Sequence, residues 1–564
     1  MPAMVRRGAV HGLRAAIAPE LRVRRLSISR PALVLTALLL VWVVNLEGCA
    51  LEPPGSHFPK QTSVALAAPE STTMGAMFVT AAADHDGMSG YRILTAGVDG
   101  LVSRIELADA AERTLDLQYF IYKGDETGRL VTDALLRAAD RGVRVRLLID
   151  DGATVKGDEQ VIALDAHANI QIRIFNPLHY RGHNPIRRSL EYLLDKRRLD
   201  YRMHNKLMVA DNSIALIGGR NVGNQYFQID PESQFADDDV LAAGPIAAKL
   251  SATFDEFWNS SFAIPAAALY SRQRSQAALD ARRAQATQYA EQHLQTLKSD
   301  GLDYAGRIAA GGPYADLRSG KQPLVWASAV VVSDSPDKKN VESGARRGRL
   351  MERSVMKAAE AAQSEVVMVN PYILPAADEA DVLKELRGRN VAVRVLTNSL
   401  ISTPDLVAQA GYDRYRIPLL KEGVEIHELR ALLGNIRGSG QSAAVSRYGN
   451  YALHAKLFVF DRARLFVGSM NLDERSKSLN TEIGLLIDSP DLALETLTRF
   501  DRMVLPENAY SLLWRGPSTG AGGHIEWDTV ENGQPVSYTR EPARGNWQRL
   551  EFRLLSWLPI TGEL

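Results

Sequence analysis

The stretch HNKLMVADNSIALIGGRN (residues 204–221) has a near copy 250 residues later, HAKLFVFDRARLFVGSMN (residues 454–471). Both copies follow one pattern, H-x-K-x4-D-x6-G-[GS]-x-N. The start of each copy, HNKLMVAD and HAKLFVFD, is typical of a strand, in which alternate side chains point to opposite faces. The repetition predicts that the two copies occupy equivalent positions in a duplicated fold.

The elements around the two copies also repeat. Before the first copy, the sequence predicts a strand, a helix and a strand, in TLDLQYFIY (114–122), GRLVTDALLRAADRG (128–142) and VRVRLLID (143–150). Before the second copy, the same order is found in SEVVMVNPYIL (364–374), ADEADVLKELRGRN (377–390) and VAVRVLTNS (391–399). Gln118 precedes His204 by 86 residues, and Asn370 precedes His454 by 84. An internal duplication explains this order and spacing, and we expect an α/β fold of two lobes related by a pseudo-two-fold axis.

Bulk composition limits the possible classes of protein. The chain has 564 residues, enough for two or three domains, and a formal net charge of zero. Zero net charge argues against a protein that coats nucleic acid, although a local basic groove remains possible. The single cysteine, Cys49, allows no intrachain disulfide, and no Cys/His cluster has the spacing of a zinc site. We therefore expect no metal and no cofactor.

The N-terminus is typical of a bacterial export segment. Seven arginines and one acidic residue precede the apolar run LVLTALLLVWVV (33–44), which is short for a transmembrane helix. The following LEGC (46–49) resembles a lipoprotein processing site, which predicts lipidation of Cys49. A plain membrane anchor with an inert Cys49 is the alternative, and in both cases the body of the protein is expected beside a membrane.

Composition and periodicity predict the division of the chain. The predicted parts are an export segment of signal or lipoprotein type (1–49), a flexible tether (50–88), the first lobe (89–263), a helical linker (264–322), the second lobe (323–505) and a C-terminal tail packed on the body or the membrane (506–564). In the tail, VENGQPV (530–536) predicts a hairpin. The final apolar stretch, LEFRLLSWLPI (550–560), predicts a short helix docked on the body, or alternatively a helix that touches the membrane.

The repeated motif places an imidazole and an ammonium group on one side of each strand, since residues i and i+2 share a face. If the copies meet across the pseudo-two-fold axis, His204, Lys206, His454 and Lys456 converge. Such a group suits a phosphate, because the lysines neutralise its oxygens while one imidazole attacks phosphorus and the other donates a proton to the leaving oxygen.

Other motif residues are candidates for supporting roles. Small residues allow a phosphate to approach the backbone, amides can donate to its oxygens, and carboxylates can orient the second nitrogen of each imidazole. The candidates are Gly218, Gly219, Gly468 and Ser469 for space, Asn221 and Asn471 for donation, and Glu482 and Asp239 for orientation. Asp237 and Asp238 are expected to be solvated.

The twice-repeated motif resembles that of the phospholipase D superfamily, over roughly residues 90–505. This resemblance implies one metal-independent active site built from both copies, with a phosphohistidine intermediate. It implies that His204 is the nucleophile and His454 the general acid and then base. It also implies that Asp211 and Asp461 are mainly structural supports.

RMHNK (202–206), GGRNVGNQYF (218–227) and a C-terminal LPI resemble the cardiolipin synthase C-like branch of the bacterial cardiolipin synthases. This resemblance implies transfer of a phosphatidyl group between phospholipids such as phosphatidylglycerol and phosphatidylethanolamine, at a membrane surface. The alternatives are a phospholipase D hydrolase that produces phosphatidic acid, an exported nuclease of the same superfamily, and an inactive lipid-binding module. Nucleic acid is not the expected substrate.

Three further features have competing interpretations. Residues 181–206 carry eight basic and three acidic side chains, which predict either a solvated face or a collar for anionic headgroups. Lys338 or Lys339 could lie near the phosphate of a second substrate, or in an ordinary surface loop. His179 and His183 are expected in a loop, and the alternative is that they line the lip of the site.

Overall fold

The fold was examined in a computed structural model, which describes residues 52–154, 161–182, 184–230, 233–270, 274–293, 306–307, 310–338, 350–431, 451–517 and 522–557. The predicted α/β fold of two similar lobes is confirmed. The strands of the first lobe are β1 (Ser89–Leu94), β2 (Thr114–Tyr119), β3 (Arg144–Asp150), β4 (Ile170–Phe175), β5 (Lys206–Ala210), β6 (Ile214–Gly218), β7 (Gln234–Ala236), β8 (Asp239–Ala243) and β9 (Ala263–Pro265). The helices up to the second lobe are α1 (Thr73–Ala83), α2 (Gly97–Ala110), α3 (Glu126–Asp140), α4 (Asp151–Thr154), α5 (Pro185–Leu194), α6 (Lys196–Leu199), α7 (Pro245–Asn259), α8 (Ala266–Leu269), α9 (Gln276–His293) and α10 (Pro313–Arg318).

The second lobe repeats this order and continues into the C-terminal tail. Its strands are β10 (Val325–Ser333), β11 (Glu365–Val369), β12 (Ala392–Asn398), β13 (Glu425–Leu429), β14 (Tyr451–Leu453), β15 (Leu457–Phe460), β16 (Arg464–Gly468) and β17 (Ile483–Asp488), followed in the tail by β18 (Ala509–Arg515), β19 (His524–Glu531) and β20 (Gln534–Tyr538). Its helices are α11 (Leu350–Glu360), α12 (Ala377–Gly388), α13 (Leu406–Lys421) and α14 (Pro490–Met503), and the tail adds α15 (Asn546–Ser556).

The strand order shows the pseudo-two-fold symmetry directly. In the first lobe it is β9-β4-β3-β2-β5-β6-β8-β1, with β2, β3 and β4 parallel to one another. In the second lobe it is β18-β13-β12-β11-β15-β16-β17-β10, with β11, β12 and β13 parallel. Antiparallel pairing of β1 with β10 joins the two sheets.

The alternation predicted for the repeated motif explains where the core lies. In β5, Leu207 and Val209 pack in a cluster formed by both lobes, whereas Met208 and Ala210 pack under the helices of the first lobe. In β15, residues 457 and 459 join the shared cluster, and residues 458 and 460 pack under the helices of the second lobe. Each motif strand is therefore buried on both faces, which holds the two motif copies in fixed positions relative to each other.

The predicted tether differs from the structure, because residues 52–88 lie against the first lobe. Helix α1 buries Met74, Phe78 and Ala82, an apolar stripe with a spacing of four residues that the prediction overlooked. Upstream of this helix, the amide of Ala65 donates to Asp255 at 2.7 Å. The described part of this segment is thus a packed element of the body.

The linker and the tail follow their predictions in part. Within the predicted helical linker, helix α9 packs on the first lobe through residues 279, 286 and 289. In the tail, β19 and β20 form the predicted hairpin, with Asn532 and Gly533 both at positive φ in its turn. Helix α15 docks on the body as predicted, because Phe552 packs against Leu400 and Ala410.

The predicted export segment and Cys49 lie outside the described residues. Within the ranges given above, no helix is both long enough and apolar enough to cross a membrane.

Candidate active site

His204 lies in an extended segment just before β5, where it contacts the second lobe. Met203 forms a parallel bridge with Thr481, and the backbone amide of His204 donates to the carbonyl of Thr481 at 2.9 Å. The next residue along that strand of the second lobe is Glu482, and its carboxylate lies 2.9 and 3.0 Å from His204 Nδ1. A residue of the second lobe therefore orients the imidazole of the first.

His454 has the equivalent arrangement, related by the pseudo-two-fold axis. Strand β14 runs parallel to β7, and the amide of His454 donates to the carbonyl of Ala236 at 2.8 Å. His454 Nδ1 lies 2.6 Å from the carboxylate of Asp237. The two imidazoles are thus held by crossed pairs, in which each carboxylate comes from the opposite lobe.

The orienting carboxylate of His454 is Asp237, and the prediction of Asp239 was wrong. Opposite Gly218, the sheet places Asp239, and opposite Gly468 it places Gly484. The residue two positions earlier is Asp237 in the first lobe and Glu482 in the second, so these two are structural equivalents. The spacing of Asp239 from the apolar run misled the prediction, because the equivalent run in the second lobe starts two residues earlier in register, at Ile483.

Asp239 instead takes part in a buried ion cluster. Its carboxylate accepts from Arg104 at 2.9 Å and lies 3.5 Å from Arg220. Asp238, which was expected to be solvated, is also buried and pairs with Arg499. These carboxylates stabilise the loop that carries Asp237 and have no contact with either imidazole in the described part of the chain.

Lys206 and Lys456 complete the site. Both are about 1% exposed, and each ammonium donates to the carbonyl of the histidine two residues earlier. Burial lowers the pKa of Lys206 to about 7, with the positive charge of Lys456 contributing, and burial lowers the pKa of Lys456 to about 8. Each histidine also senses the charge of the lysine from the other lobe. The structure therefore brings the four predicted side chains into one electrostatic environment.

Both imidazoles are neutral at pH 7. Burial lowers the pKa of His204 to about 4 and that of His454 to about 3, and the nearby lysines lower both further. The pKa of Asp237 lies well below its usual range, because the charge and hydrogen bonds of its partners outweigh the opposing effect of burial. An ionised carboxylate can only accept, so Nδ1 of each ring carries the proton and Nε2 keeps its lone pair.

Ser469 and Gly219, which are equivalent in the two copies, support the two carboxylates differently. Glu482 accepts from Ser469 Oγ at 2.5 Å and from Ser476 Oγ at 2.8 Å, in addition to His204. A Cβ atom on Gly219 would lie 2.0 Å from the Asp237 carboxylate, so only glycine fits there. The predicted role of these small residues, space for a phosphate, is replaced in both cases by contact with an orienting carboxylate.

Lys338 supports the site from behind, which differs from both of its predicted places, near a second phosphate and in an ordinary surface loop. Its ammonium is buried and donates to Asp334 at 2.8 Å and to the carbonyls of Ser476 and Asn480 at 2.7 Å each. Asp334 in turn accepts from the amide of Glu482 at 3.1 Å. Lys338 therefore positions the segment that carries Glu482, whereas Lys339 lies outside the described residues.

The motif aspartates have the structural role that the resemblance implied. Asp211 accepts from the backbone amides of residues 112, 113 and 114, each at 2.8 Å. Asp461 accepts from the amides of residues 363, 364 and 365. Both lie in the turn after a motif strand at positive φ, which aspartate tolerates. They fix the start of β2 and β11 rather than the reacting groups.

The motif asparagines differ from each other. Asn221 Oδ1 accepts from the amide of Ile121 at 3.0 Å, so this side chain anchors backbone. Asn471 Oδ1 is buried and accepts no hydrogen bond from the described residues. Donation from either amide to a phosphate oxygen stays a prediction.

Aromatic rings that the sequence analysis missed surround both imidazoles. Phe120 meets His204 edge to face with ring centroids 5.1 Å apart. Phe235 stacks on His454 at 5.1 Å and 9°, and Tyr226 meets it edge to face at 5.2 Å. The rings exclude water and fix the imidazole planes. Tyr226 lies in the NQYF stretch (224–227) after the first motif, and this stretch was the sequence signal from which an aromatic ring near the site could have been predicted.

The predicted basic collar (181–206) is partly structural. Arg198 is buried and donates to Asn176 Oδ1 at 2.9 Å, and Arg202 donates to the carbonyl of the same residue at 2.7 Å. Arg187 is exposed. His179 lies in the predicted loop, 3.5 Å from Glu191, and His183 is outside the described residues. In the ranges that the structure describes, no group of three or more His, Cys, Asp or Glu side chains is arranged to hold a metal ion.

Comparison with known proteins shows which family the chain matches. Residues 104–258 and 355–504 match the family described as "Cardiolipin synthase, PLD-like domain", once in each lobe. The chain is 34% identical to cardiolipin synthase C of Escherichia coli K12 over 479 residues, which cover 84% of this chain and 96% of that protein. It is 30% identical to an uncharacterized protein of Helicobacter pylori 26695, covering 86% of this chain and 91% of that one. Among solved structures, phosphatidylserine synthase of Haemophilus influenzae Rd KW20 aligns with a TM-score of 0.49 and 14% identity, over 77% of this chain and 92% of that chain.

Proposed function

Because this chain belongs to the family of cardiolipin synthases with two phospholipase D-like domains, we propose that it transfers a phosphatidyl group from one phospholipid to the hydroxyl of a second. Phosphatidylglycerol is the proposed donor, and the proposed acceptor is another phosphatidylglycerol or a similar lipid alcohol. The crossed pairs His204–Glu482 and His454–Asp237 are the observation that carries the proposal. They supply two oriented imidazoles at one site between two buried ammonium groups.

The first stage forms a covalent bond between His204 and phosphorus. Nε2 of His204 attacks the phosphodiester, the bond from phosphorus to the leaving oxygen breaks, and His454 gives its proton to that oxygen. His454 must first be protonated, and a bound anionic phosphodiester favours this by adding a negative charge beside a ring whose pKa burial has lowered. Lys206 and Lys456 stabilise the charge that shifts onto the phosphoryl oxygens.

The second stage reverses these roles. Neutral His454 removes the proton from the incoming hydroxyl, its oxygen attacks phosphorus, and the bond to His204 breaks. The order of the two histidines follows the family resemblance, and the pseudo-two-fold geometry would also accommodate the reverse order. Substitution of His454 by alanine should let a phosphatidyl-enzyme accumulate, and locating the phosphatidyl group on His204 or elsewhere tests the order.

Product analysis tests the proposed reaction. The purified full-length chain is incubated with phosphatidylglycerol vesicles, with and without phosphatidylethanolamine, and separately with single-stranded DNA. Cardiolipin as product supports the proposal, phosphatidic acid alone would make the chain a hydrolase, and cleaved DNA with intact lipid would make it a nuclease. His204→Ala should abolish the activity, whereas His57→Ala, at a ring that is 93% exposed, is the matched control.

We also propose that the enzyme works at a bacterial membrane to which its N-terminus is attached. The support is the basic segment, apolar run and Cys49 of the export-like sequence. Labelling of growing cells with a radioactive fatty acid should mark the wild-type chain. Equal labelling of Cys49→Ser would show that this cysteine is not the lipidated residue.

A further inference from the structure

Helix α5 exposes its apolar side chains. Ile186, Leu190, Leu193 and Leu194 are 77, 55, 72 and 65% exposed, and none of the helix's residues is buried. They recur at helical spacing and form one stripe, which in a globular protein normally faces a core. A contiguous exposed stripe of this kind marks a surface that binds something apolar.

The helix is held in place by polar contacts, so its stripe is preformed. Asn184 caps its first turn by accepting from the amides of Ile186 and Arg187, and Pro185 occupies the first helical position. Glu191 accepts from the amides of His179 and Tyr180 at 2.6 and 2.8 Å. These bonds fix the helix while leaving the stripe uncovered.

Helix α5 lies at the edge of the sheet that carries the active site. Lys206 pairs with Tyr119 at the carboxyl end of β2, and α5 comes between the carboxyl end of β4 and the segment before His204. Asn176, at the end of β4, donates to the carbonyl of Tyr201 at 2.8 Å. A molecule that covers the stripe is thereby brought next to the reacting groups.

Charge indicates what this molecule is. Arg187 and Arg188 follow the first apolar residue of the stripe, and Lys196 and Arg197 come just after the helix. Apolar residues bordered by basic ones are typical of helices that lie in the surface of an anionic bilayer. A second copy of this chain would also cover the stripe, but a symmetric contact would bring like charges together.

Helix α15 gives the second lobe a similar stripe. Trp547, Leu550, Leu554 and Trp557 are 79, 46, 57 and 85% exposed and follow one another at intervals of three and four residues. The opposite face packs on the body, where Gln548 donates to the carbonyl of Leu400 at 2.8 Å. Tryptophan is the residue that membrane–water interfaces prefer.

Helix α15 lies near the carboxyl end of a strand of the second lobe. Leu400 follows the carboxyl end of β12, where Asn398 Oδ1 accepts from the amide of Leu453, the residue before His454. Helix α15, like α5, is therefore connected through hydrogen bonds to the segment that precedes an active-site histidine.

We propose that α5 and α15 are the membrane-docking surface, and that their stripes enter the headgroup region of an anionic bilayer and place the active site against the headgroups. The choice of membrane rests on the proposed function, since a phosphatidyltransferase must reach lipids. Docking itself is measurable without turnover. It accounts for two preformed helices whose apolar side chains would otherwise face water.

Vesicle sedimentation of the full-length chain tests the docking. The α5 variant combines Ile186→Ser, Leu190→Ser and Leu193→Ser, and it should bind phosphatidylglycerol vesicles about tenfold more weakly or worse, because three aliphatic side chains no longer leave water. The control variant combines three other exposed aliphatic positions, Val64→Ser, Val79→Ser and Leu494→Ser, which are 59, 53 and 59% exposed. It should bind as the wild type does.

Activity measurements on the same variant separate membrane docking from the chemical reaction. The α5 variant should keep wild-type activity on a short-chain phosphatidylglycerol dissolved as monomers, and lose activity on vesicles. If the wild type turns over neither form yet binds vesicles, the proposed reaction fails while docking stands. Equal vesicle binding by the wild type and the α5 variant would overturn the docking proposal. So would a dimer of the wild-type chain that the α5 variant does not form, because a second copy of the chain would then cover the stripe.

A fluorophore measurement does not depend on how the triple variant folds. Leu190→Cys in a Cys49→Ser background provides one thiol for an environment-sensitive dye. Its emission should shift to the blue with phosphatidylglycerol vesicles and much less with phosphatidylcholine vesicles. An unchanged spectrum with both would contradict insertion of α5.

Discussion

Replacing Asp237 by asparagine should slow catalysis and leave the fold intact, whereas Asp239→Asn should mainly weaken the fold. The two carboxylates are two residues apart and both are fully buried, but only Asp237 contacts an imidazole, at 2.6 Å from His454 Nδ1. Asp239 pairs with Arg104 and Arg220. The comparison therefore asks whether the crossed geometry of the site is right.

The size of each effect follows from these contacts. Loss of a charge-assisted hydrogen bond costs about 1.5–3 kcal/mol, which is roughly a 10- to 150-fold loss of rate. Asparagine can also present its amide to Nδ1 and favour the wrong tautomer, which in a serine protease triad raises the loss to about 10⁴-fold. For Asp239→Asn, leaving buried guanidinium groups without their partner should lower the free energy of unfolding by about 3–5 kcal/mol.

Two measurements separate the variants. Initial rates of cardiolipin formation on phosphatidylglycerol vesicles should fall at least tenfold for Asp237→Asn, by the hydrogen-bond value above, while its thermal unfolding stays near that of the wild type. Asp239→Asn should unfold at lower temperature, and the fraction that is folded should keep a near-normal rate. A slow but stable Asp239→Asn beside an active Asp237→Asn would refute the assignment of His454 to Asp237.

Three further predictions concern pH, the support behind the site, and metals. The value of kcat/KM should fall as pH rises through about 7 to 8, because the two site lysines have pKa values of about 7 and about 8 and lose their charge there. A flat profile to pH 10 would contradict this. On the acid side the rate should not fall above about pH 5, since His204, the nucleophile, stays neutral down to about pH 4. Lys338→Met should lower both the unfolding temperature and kcat, because it leaves buried Asp334 without its cation and releases the segment that carries Glu482. The control, Lys357→Met at an exposed site, should change neither. EDTA should leave the rate unchanged, because ammonium groups provide the positive charge at the phosphate, and loss of activity that added Mg²⁺ restores would count against this.

The sequence was sufficient to predict the fold class, because the duplication can be recognised from local sequence patterns. The strand-like starts of the two motif copies predicted β5 and β15, and a common spacing predicted that the two motifs are equivalent. The same local patterns located the hairpin of the tail, whose turn needs residues that tolerate positive φ. The segment before β1 was predicted wrongly, because its small residues concealed a short apolar stripe that packs on the first lobe.

The sequence by itself determined that two histidines and two lysines form two pairs, each pair on one face of an extended segment, because the side-chain period of two is a local property of the backbone. Only the tertiary structure decided which carboxylate holds which ring. His204 and Glu482 are 278 residues apart, and His454 and Asp237 are 217 apart, and they meet because short parallel bridges cross between the lobes. Such a meeting depends on how two sheets pack and register against each other, which no spacing within either motif contains.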